Sequence, residues 1–388
     1  MNNLITKKMN LENILSKLIS YPTVSEESNH ELANFIIDFL KVYGITAKKI
    51  EGEKGRFNIF SMIGPKSEGG IVLSGHTDVV PAIASEWTSD PYEAREEKDK
   101  IYGRGTSDMK SFIACTLAVA PLFKSEKLKK PIHFSFTFDE ETGCLGVPLV
   151  LADLKRKNLN FSVCIIGEPT SMKPITSHKG YNEYVTHFTG LSGHASNPDV
   201  GVSAIEYAIE YSNKLLELRD TLKKRQVDKN KFFPPYSTLQ IGKISGGTSA
   251  NVIADKCSLE WEVRPINKED DNFITKSIDD FTKEVLLPKI KKISPKANIK
   301  KEIVGEVIGF NKDDNSEAVN LICNLTGDNT EGAMSFGTEA GLFQNAGIST
   351  VICGPGSIDQ AHTVDEYITY DQIKSCLKML ISLRDKMI

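Results

Sequence analysis

The chain has 388 residues, enough for about two domains, each with its own core. Apolar residues make up 40% and charged residues 25%, ordinary values that exclude long disorder and fibrous repeats. With 51 acidic against 47 basic residues the net charge is −4, which argues against a nucleic-acid-coating protein.

In chain order, Leu11–Ser20 and Glu31–Tyr43 carry apolar residues at helical spacing. Gly70–Gly75 is a short apolar run stopped by glycine, the pattern of a buried strand, and it ends in His76-Thr77-Asp78. The turn Tyr102–Lys110, containing Asp108, precedes a predicted helix, Ser111–Phe123. That stretch is short of the ~20 apolar residues a membrane span needs. Strand Ile132–Phe138 ends in Asp139-Glu140-Glu141-Thr142-Gly143, a helix follows over Gly146–Lys155, and strand Ser162–Ile166 ends in Gly167-Glu168-Pro169. Strands and helices in alternation predict an α/β layer with a mixed, mostly parallel sheet flanked by helices.

From residue 178 the character changes. Tyr184–Phe188, Ser237–Ile244, Asn251–Pro265 and Ala297–Val307 read as strands, and Ser203–Leu218 and Asn272–Leu287 as helices. That order is the split-βαβ pattern of a ferredoxin-like α+β sandwich. Helices Ser316–Leu325 and Gly341–Ala346, strand Ser349–Cys353 and helix Tyr370–Lys386 then resume the α/β style, with His362 between the last two. The expectation is a first domain in two parts, 1–177 and 309–388, interrupted by an inserted domain over 178–308. The N-terminus, with Lys7 and Lys8, shows no export signal, and the seven cysteines form no CxxC pair. A cytoplasmic protein with reduced thiols is expected.

The carboxyl ends of strands in an open α/β sheet form its ligand crevice, so two histidines and several carboxylates are expected to meet there. Carboxylates packed together repel, and a divalent cation resolves the conflict; imidazole mixed with carboxylate suits zinc and its neighbours. A pair of ions sharing one bridging carboxylate, with a spare carboxylate as base, fits this supply.

These segments resemble the dinuclear-zinc aminoacylase and carboxypeptidase superfamily: Ser74–Pro81, Tyr102–Lys110, Asp139–Gly143, Gly167–Thr170 and Ala361-His362, in that order. Within it the likeness is nearest to the acetylornithine deacetylase branch. It is carried there by Trp87, Asp90-Pro91-Tyr92, Gly193–Pro198, Phe336–Ala340, Cys353–Ile358 and Asp365-Glu366-Tyr367. The resemblance implies a zinc-peptidase-like catalytic domain with an inserted lid. It implies two divalent ions, zinc or alternatively cobalt: His76 and Glu168 on one, Glu141 and His362 on the other, Asp108 bridging. It further implies Asp78 as a carboxylate partner of the His76 ring, a cis peptide after Asp108, and Glu140 as general base. His194 would stabilise the developing charge on the substrate carbonyl. Arg264 and Asn251 would hold the substrate's α-carboxylate, and Glu339 would face a side-chain amine. A homodimer formed through the inserted domain is implied as well.

The expected activity is deacetylation of N²-acetylornithine, a small N-acyl amino acid, with no nucleic-acid or membrane partner. Desuccinylase, aminoacylase and dipeptidase activities share the fold, and a non-catalytic small-molecule binder on the same scaffold is the rival of another class. Other motifs fail: His30-Glu31 lacks the second histidine of HExxH because position 34 is Asn, and no P-loop or G-x-S-x-G occurs.

Overall fold

The computed structural model describes residues 10–225 and 231–388. Lys7 and Lys8, read above for an export signal, lie outside them. The chain forms two compact units. The first comprises residues up to 176, 312–332 and 338–388; the second comprises 177–311 and the short return 333–337.

At the centre of the first unit four strands run parallel: Ile132–Thr137, Ile71–His76, Val163–Pro169 and Ser349–Gly354, in that spatial order. Ile132–Thr137 and Val163–Pro169 are buried along their whole length, as parallel strands covered on both faces must be. Antiparallel strands Phe57–Ile63 and Ala47–Glu51 extend one edge. Helices Leu11–Ile19, Lys110–Ser125 and Tyr370–Met387 supply one side of the core through Ile14, Phe112, Phe123, Ile373 and Leu380. Asn10 and Thr369 cap two of these helices, accepting from the backbone N–H of Asn13 and Gln372. No helix among the described residues is long and apolar enough to cross a membrane.

The second unit runs strand, helix, strand, strand, helix, strand. Its sheet is antiparallel, in the order Thr238–Gly246, Lys256–Arg264, Tyr181–Thr189, Asn298–Val307. Burial alternates along Tyr181–Thr189, so one face of the sheet is sealed. Helices Ala204–Lys224 and Lys268–Phe281 seal it with Tyr211, Leu215, Ile274 and Ile278 around Trp261. Trp261 stacks on Tyr184 at 4.3 Å and donates its indole N–H to Thr186 at 3.0 Å.

Two sequence expectations are corrected here. The strand expected from Asn251 starts only at Lys256, because residues 251–255 form a turn with a single bridge from Val252 to His194. The helix expected from Asn272 starts at Lys268, where the Asn267 side chain accepts the Asp270 N–H at 2.8 Å.

His133 lies in the central sheet with neither ring nitrogen hydrogen-bonded, between Phe60 and Phe161. Burial lowers its pKa from 6.5 to about 4. The fold thus favours the neutral ring, while an unfolded chain takes up a proton near the ordinary value. The neutral ring's contribution is complete above pH 6.5 and is lost as pH falls toward 4. The shift corresponds to about 3 kcal/mol at its limit. His133→Leu is therefore expected to keep more of its neutral-pH stability at pH 4–5 than the parent does. Thermal melts of both proteins across that range check this; parallel curves would refute it.

Candidate metal centre

The first unit brings His76, Asp108, Glu140, Glu141, Glu168 and His362 to the carboxyl ends of its parallel strands. His76 and Glu168 belong to the ends of strands Ile71–His76 and Val163–Pro169. Asp108 stands just before helix Lys110–Ser125, and the Asp108–Met109 peptide is cis. Glu140 and Glu141 occupy the turn after Ile132–Thr137. In that turn the N–H groups of Gly143 and Cys144 close onto the Glu140 carbonyl at 3.0 and 2.9 Å. Asp139 anchors it, with a left-handed backbone (φ 51°), an ion pair to Arg56 and a bond from the Glu26 N–H. His362 also has a left-handed backbone, with φ 58°.

Two donor groups result: His76, Asp108 and Glu168, and Asp108, Glu141 and His362, with donor atoms within 4.8 Å of one another in each. Asp108 belongs to both. Its Oδ1 lies 2.9 Å from His76 Nε2, and its Oδ2 lies 3.3 Å from His362 Nε2. His362 Nε2 is also 3.0 Å from Glu141 Oε1, and His76 Nε2 is 3.9 Å from Glu168 Oε1.

A divalent cation fits these residues. Glu168 Oε1 is buried and has no hydrogen-bond partner, a costly state that a cation would relieve. Glu168 has a pKa well above the ordinary range, first through burial and then through the charges of Asp108 and Glu140. Glu140 is likewise held well above it: burial is the main cause, and Glu141 and Asp108 add to it against the pull of His76. Glu141 is raised by burial and then by Asp108. Asp108 is the exception: hydrogen bonds from His362 and His76 outweigh its burial and hold it below the usual carboxylate range. In return His362 is raised to about 10 by its bonds to Asp108 and Glu141. The site therefore holds more buried negative charge than its two imidazoles balance, and imidazole with carboxylate is a donor set for zinc-like ions.

Asp78 pairs with the His76 ring, but through its backbone. His76 Nδ1 donates to the Asp78 carbonyl at 2.9 Å, whereas the Asp78 carboxylate is 3.6 Å away. A carbonyl only accepts, so Nδ1 carries a hydrogen and Nε2 is the ring atom turned to the donor group. The Asp78 carboxylate instead accepts from Ser25 and from the backbone N–H groups of Glu140 and Glu141, at 2.8, 3.1 and 3.3 Å. It fastens the turn that carries both acids.

Glu339, expected to face a substrate amine, already has donors of its own. It is 1% exposed, and its carboxylate accepts from Ser74 at 2.9 Å and from Thr137. It is enclosed beside strands Ile71–His76 and Ile132–Thr137.

His194, Asn251 and Arg264 lie in the second unit. His194 is exposed, and the Ala195 N–H donates to the Asn251 carbonyl at 3.1 Å, so these two residues share one loop cluster. The Asn251 side chain is exposed and accepts from Ser249 at 2.6 Å. Arg264 ends its strand half-buried, 3.0 Å from Glu262 and over the Tyr181 ring at 5.0 Å.

Sequence reasoning assigns no role to Arg104 or Glu366, which the structure pairs beneath the Asp108 segment at 2.8 Å. The available signal was their charge: Arg104 stands between two glycines and Glu366 beside Asp365, in segments that must pack against buried strand ends.

The sequence matches Peptidase family M20/M25/M40 over residues 72–385. It is 32% identical over 376 residues to acetylornithine deacetylase of Pasteurella multocida (strain Pm70), covering 95% of each chain. It is 35% identical over 361 residues to acetylornithine deacetylase of Proteus mirabilis (strain HI4320), covering 91% of this chain and 90% of that one. The fold is similar to that of an M20 family metallo-carboxypeptidase, Sso-CP2 from Sulfolobus solfataricus. The TM-score is 0.73 at 18% identity, over 97% of this chain and 98% of the other.

Proposed function

Because the chain belongs to Peptidase family M20/M25/M40 and is a metal-dependent amide hydrolase, we propose that it deacetylates N²-acetyl-L-ornithine, releasing L-ornithine and acetate. The observation that carries the chemistry is the shared carboxylate of Asp108, with one oxygen toward each imidazole. What supports the substrate is similarity to acetylornithine deacetylases over at least 90% of both chains.

His76, Asp108 and Glu168 would hold one ion, and Asp108, Glu141 and His362 the other. Zinc is the first choice and cobalt the second. When bound, such a pair lowers the pKa of water from about 15.7 toward about 7 and polarises the amide carbonyl. Glu140 takes the proton of the attacking water and returns it to the leaving amine. Asp78 orients the His76 ring and holds the turn on which Glu140 rides. Arg264 and Asn251 bind the α-carboxylate, Arg264 with its planar fork of donors. His194 donates to the carbonyl oxygen as negative charge grows there. Ser196 gives its backbone N–H to His194 Nδ1 at 3.2 Å, which leaves the hydrogen of the neutral ring on Nε2 for that task.

We assign the enzyme to the cytoplasm and to a homodimer joined through the inserted unit. The dimer is supported by the open sheet edge Asn298–Val307, where Ile303 and Val304 are 61% and 56% exposed.

A substrate panel tests the reading. Zinc-loaded protein should show a higher kcat/KM for N-acetylornithine than for N-succinyl-diaminopimelate, N-acetylmethionine or a dipeptide. Similar values on all four would overturn the substrate and spare the hydrolase.

A further inference from the structure

Glu366 is fully buried four residues beyond His362, yet it belongs to neither donor group. Its Oε1 accepts from the backbone N–H groups of Ser107 and Asp108, at 2.7 and 3.0 Å. Its Oε2 accepts from the Gly105 N–H at 3.0 Å and from Arg104 Nη1 at 2.8 Å. Its carbonyl oxygen accepts from the Gly103 N–H at 2.9 Å. One carboxylate thus gathers three backbone donors, those of Gly105, Ser107 and Asp108, in the segment leading to the shared residue. Charge-assisted bonds to backbone N–H groups are among the stronger ones a buried carboxylate can make.

Arg104, 4% exposed, extends the clamp to the other side. Its Nη1 also reaches the carbonyl of Thr363, next to His362, at 3.3 Å, and its Nη2 reaches the carbonyl of Pro81 at 3.4 Å. The Trp87 ring covers the guanidinium at 5.1 Å. On the same loop the Asp365 carboxylate accepts from the backbone N–H and the hydroxyl of Thr88, at 3.0 and 2.6 Å. The segment carrying Asp108 and the segment carrying His362 are therefore bound side to side. None of these bonds uses a ligand side chain.

We infer that Arg104 and Glu366 are positioning residues for the metal centre: Glu366 presets the backbone from which Asp108 projects, and Arg104 holds the His362 segment in register with it. The inference rests on reading Asp108 as the shared ligand. The two residues should be separable. Glu366→Gln turns an N–H donor toward backbone N–H groups and disturbs the ligand common to both ions. Arg104→Lys keeps the charge but not the fork, and it frees chiefly the His362 side.

The test is zinc titration of metal-stripped protein against a competing chelator, with the melting temperature of each metal-free variant measured alongside. Glu366→Gln is expected to weaken both ions by about 10–100-fold. Arg104→Lys is expected to weaken the second ion by about tenfold or more and leave the first near its wild-type affinity. A merely structural role would lower the melting temperature without this split between ions. Should Glu366→Gln fail to fold, hydrogen exchange on metal-free wild-type protein decides instead. The amides of Gly105, Ser107 and Asp108 are expected to be protected before zinc is added, and protection gained only with zinc overturns the inference. Two ions in wild type with unchanged affinities in both variants overturn this inference alone. Wild-type protein that takes up no zinc overturns the metal-centre reading and this inference together.

Discussion

Glu140→Gln is expected to lower kcat by about a hundred- to ten-thousand-fold while the protein keeps its full metal content. Glu140 is in neither donor group, so its loss removes no ligand. Its position is nonetheless set with care. The backbone N–H is fixed by Asp78, the carbonyl closes the turn with Gly143 and Cys144, and one carboxylate oxygen meets the Cys144 thiol at 3.7 Å. The carboxyl is buried among the charges of Glu141 and Asp108 and holds its proton more tightly than an ordinary glutamate. A carboxyl of this kind beside a cation site is suited to accept a proton and then give it up. Glutamine copies its shape but can do neither. Turnover measured together with metal content by mass spectrometry is the check, and a kcat within about tenfold of wild type would remove Glu140 from the mechanism.

Asp108→Ala is expected to cost both ions, with zinc per chain after gel filtration falling from two to less than one and activity falling to background. The reason is the sharing. Without Asp108 each donor group retains only two side chains, His76 with Glu168 and Glu141 with His362. Glu168→Ala, by contrast, takes a donor from one group only and should leave one ion in place. If Asp108→Ala still bound two ions, the bridging role would be wrong. The contrast between these variants separates a shared ligand from one that serves a single ion, which activity alone would not do.

The parts of this molecule that were legible in the sequence are those governed by local pattern. Ile132–Thr137 and Val163–Pro169 read as buried strands because nearly every side chain is apolar or small, and the acids that follow them mark the strand ends. Glu141 and Glu168 stand at those ends, whereas His76, Asp108 and His362 stand elsewhere, and the ligand roles of all five came from the family resemblance rather than from the pattern. Strand Ala47–Glu51 was missed because three of its five residues are lysine or glutamate and it is held by pairing with Phe57–Ile63. The three-stranded sheet of Arg95–Glu97, Lys100–Tyr102 and Tyr367–Thr369 escaped for a similar reason: three residues are too few to show a period, and Tyr367–Thr369 is distant in sequence from the other two. Glu339 was read as facing a substrate amine, and nothing in its local sequence shows the partners it has in the fold. Only the folded sheet brings Ser74 and Thr137 to it as donors. The Arg104–Glu366 pair was hidden by the same kind of separation, since neither residue signals its partner locally.

The order in which the ligands occur along the chain has a consequence for biosynthesis. A polypeptide emerging from the ribosome displays His76, Asp108, Glu141 and Glu168 well before His362, and it must complete the entire second unit in between. Until Glu366 follows, the Asp108 segment also lacks the acceptor for its N–H groups. On the proposed reading of these residues as ligands, full metal loading would be a late event, and a product truncated before residue 362 would be released with an incomplete centre.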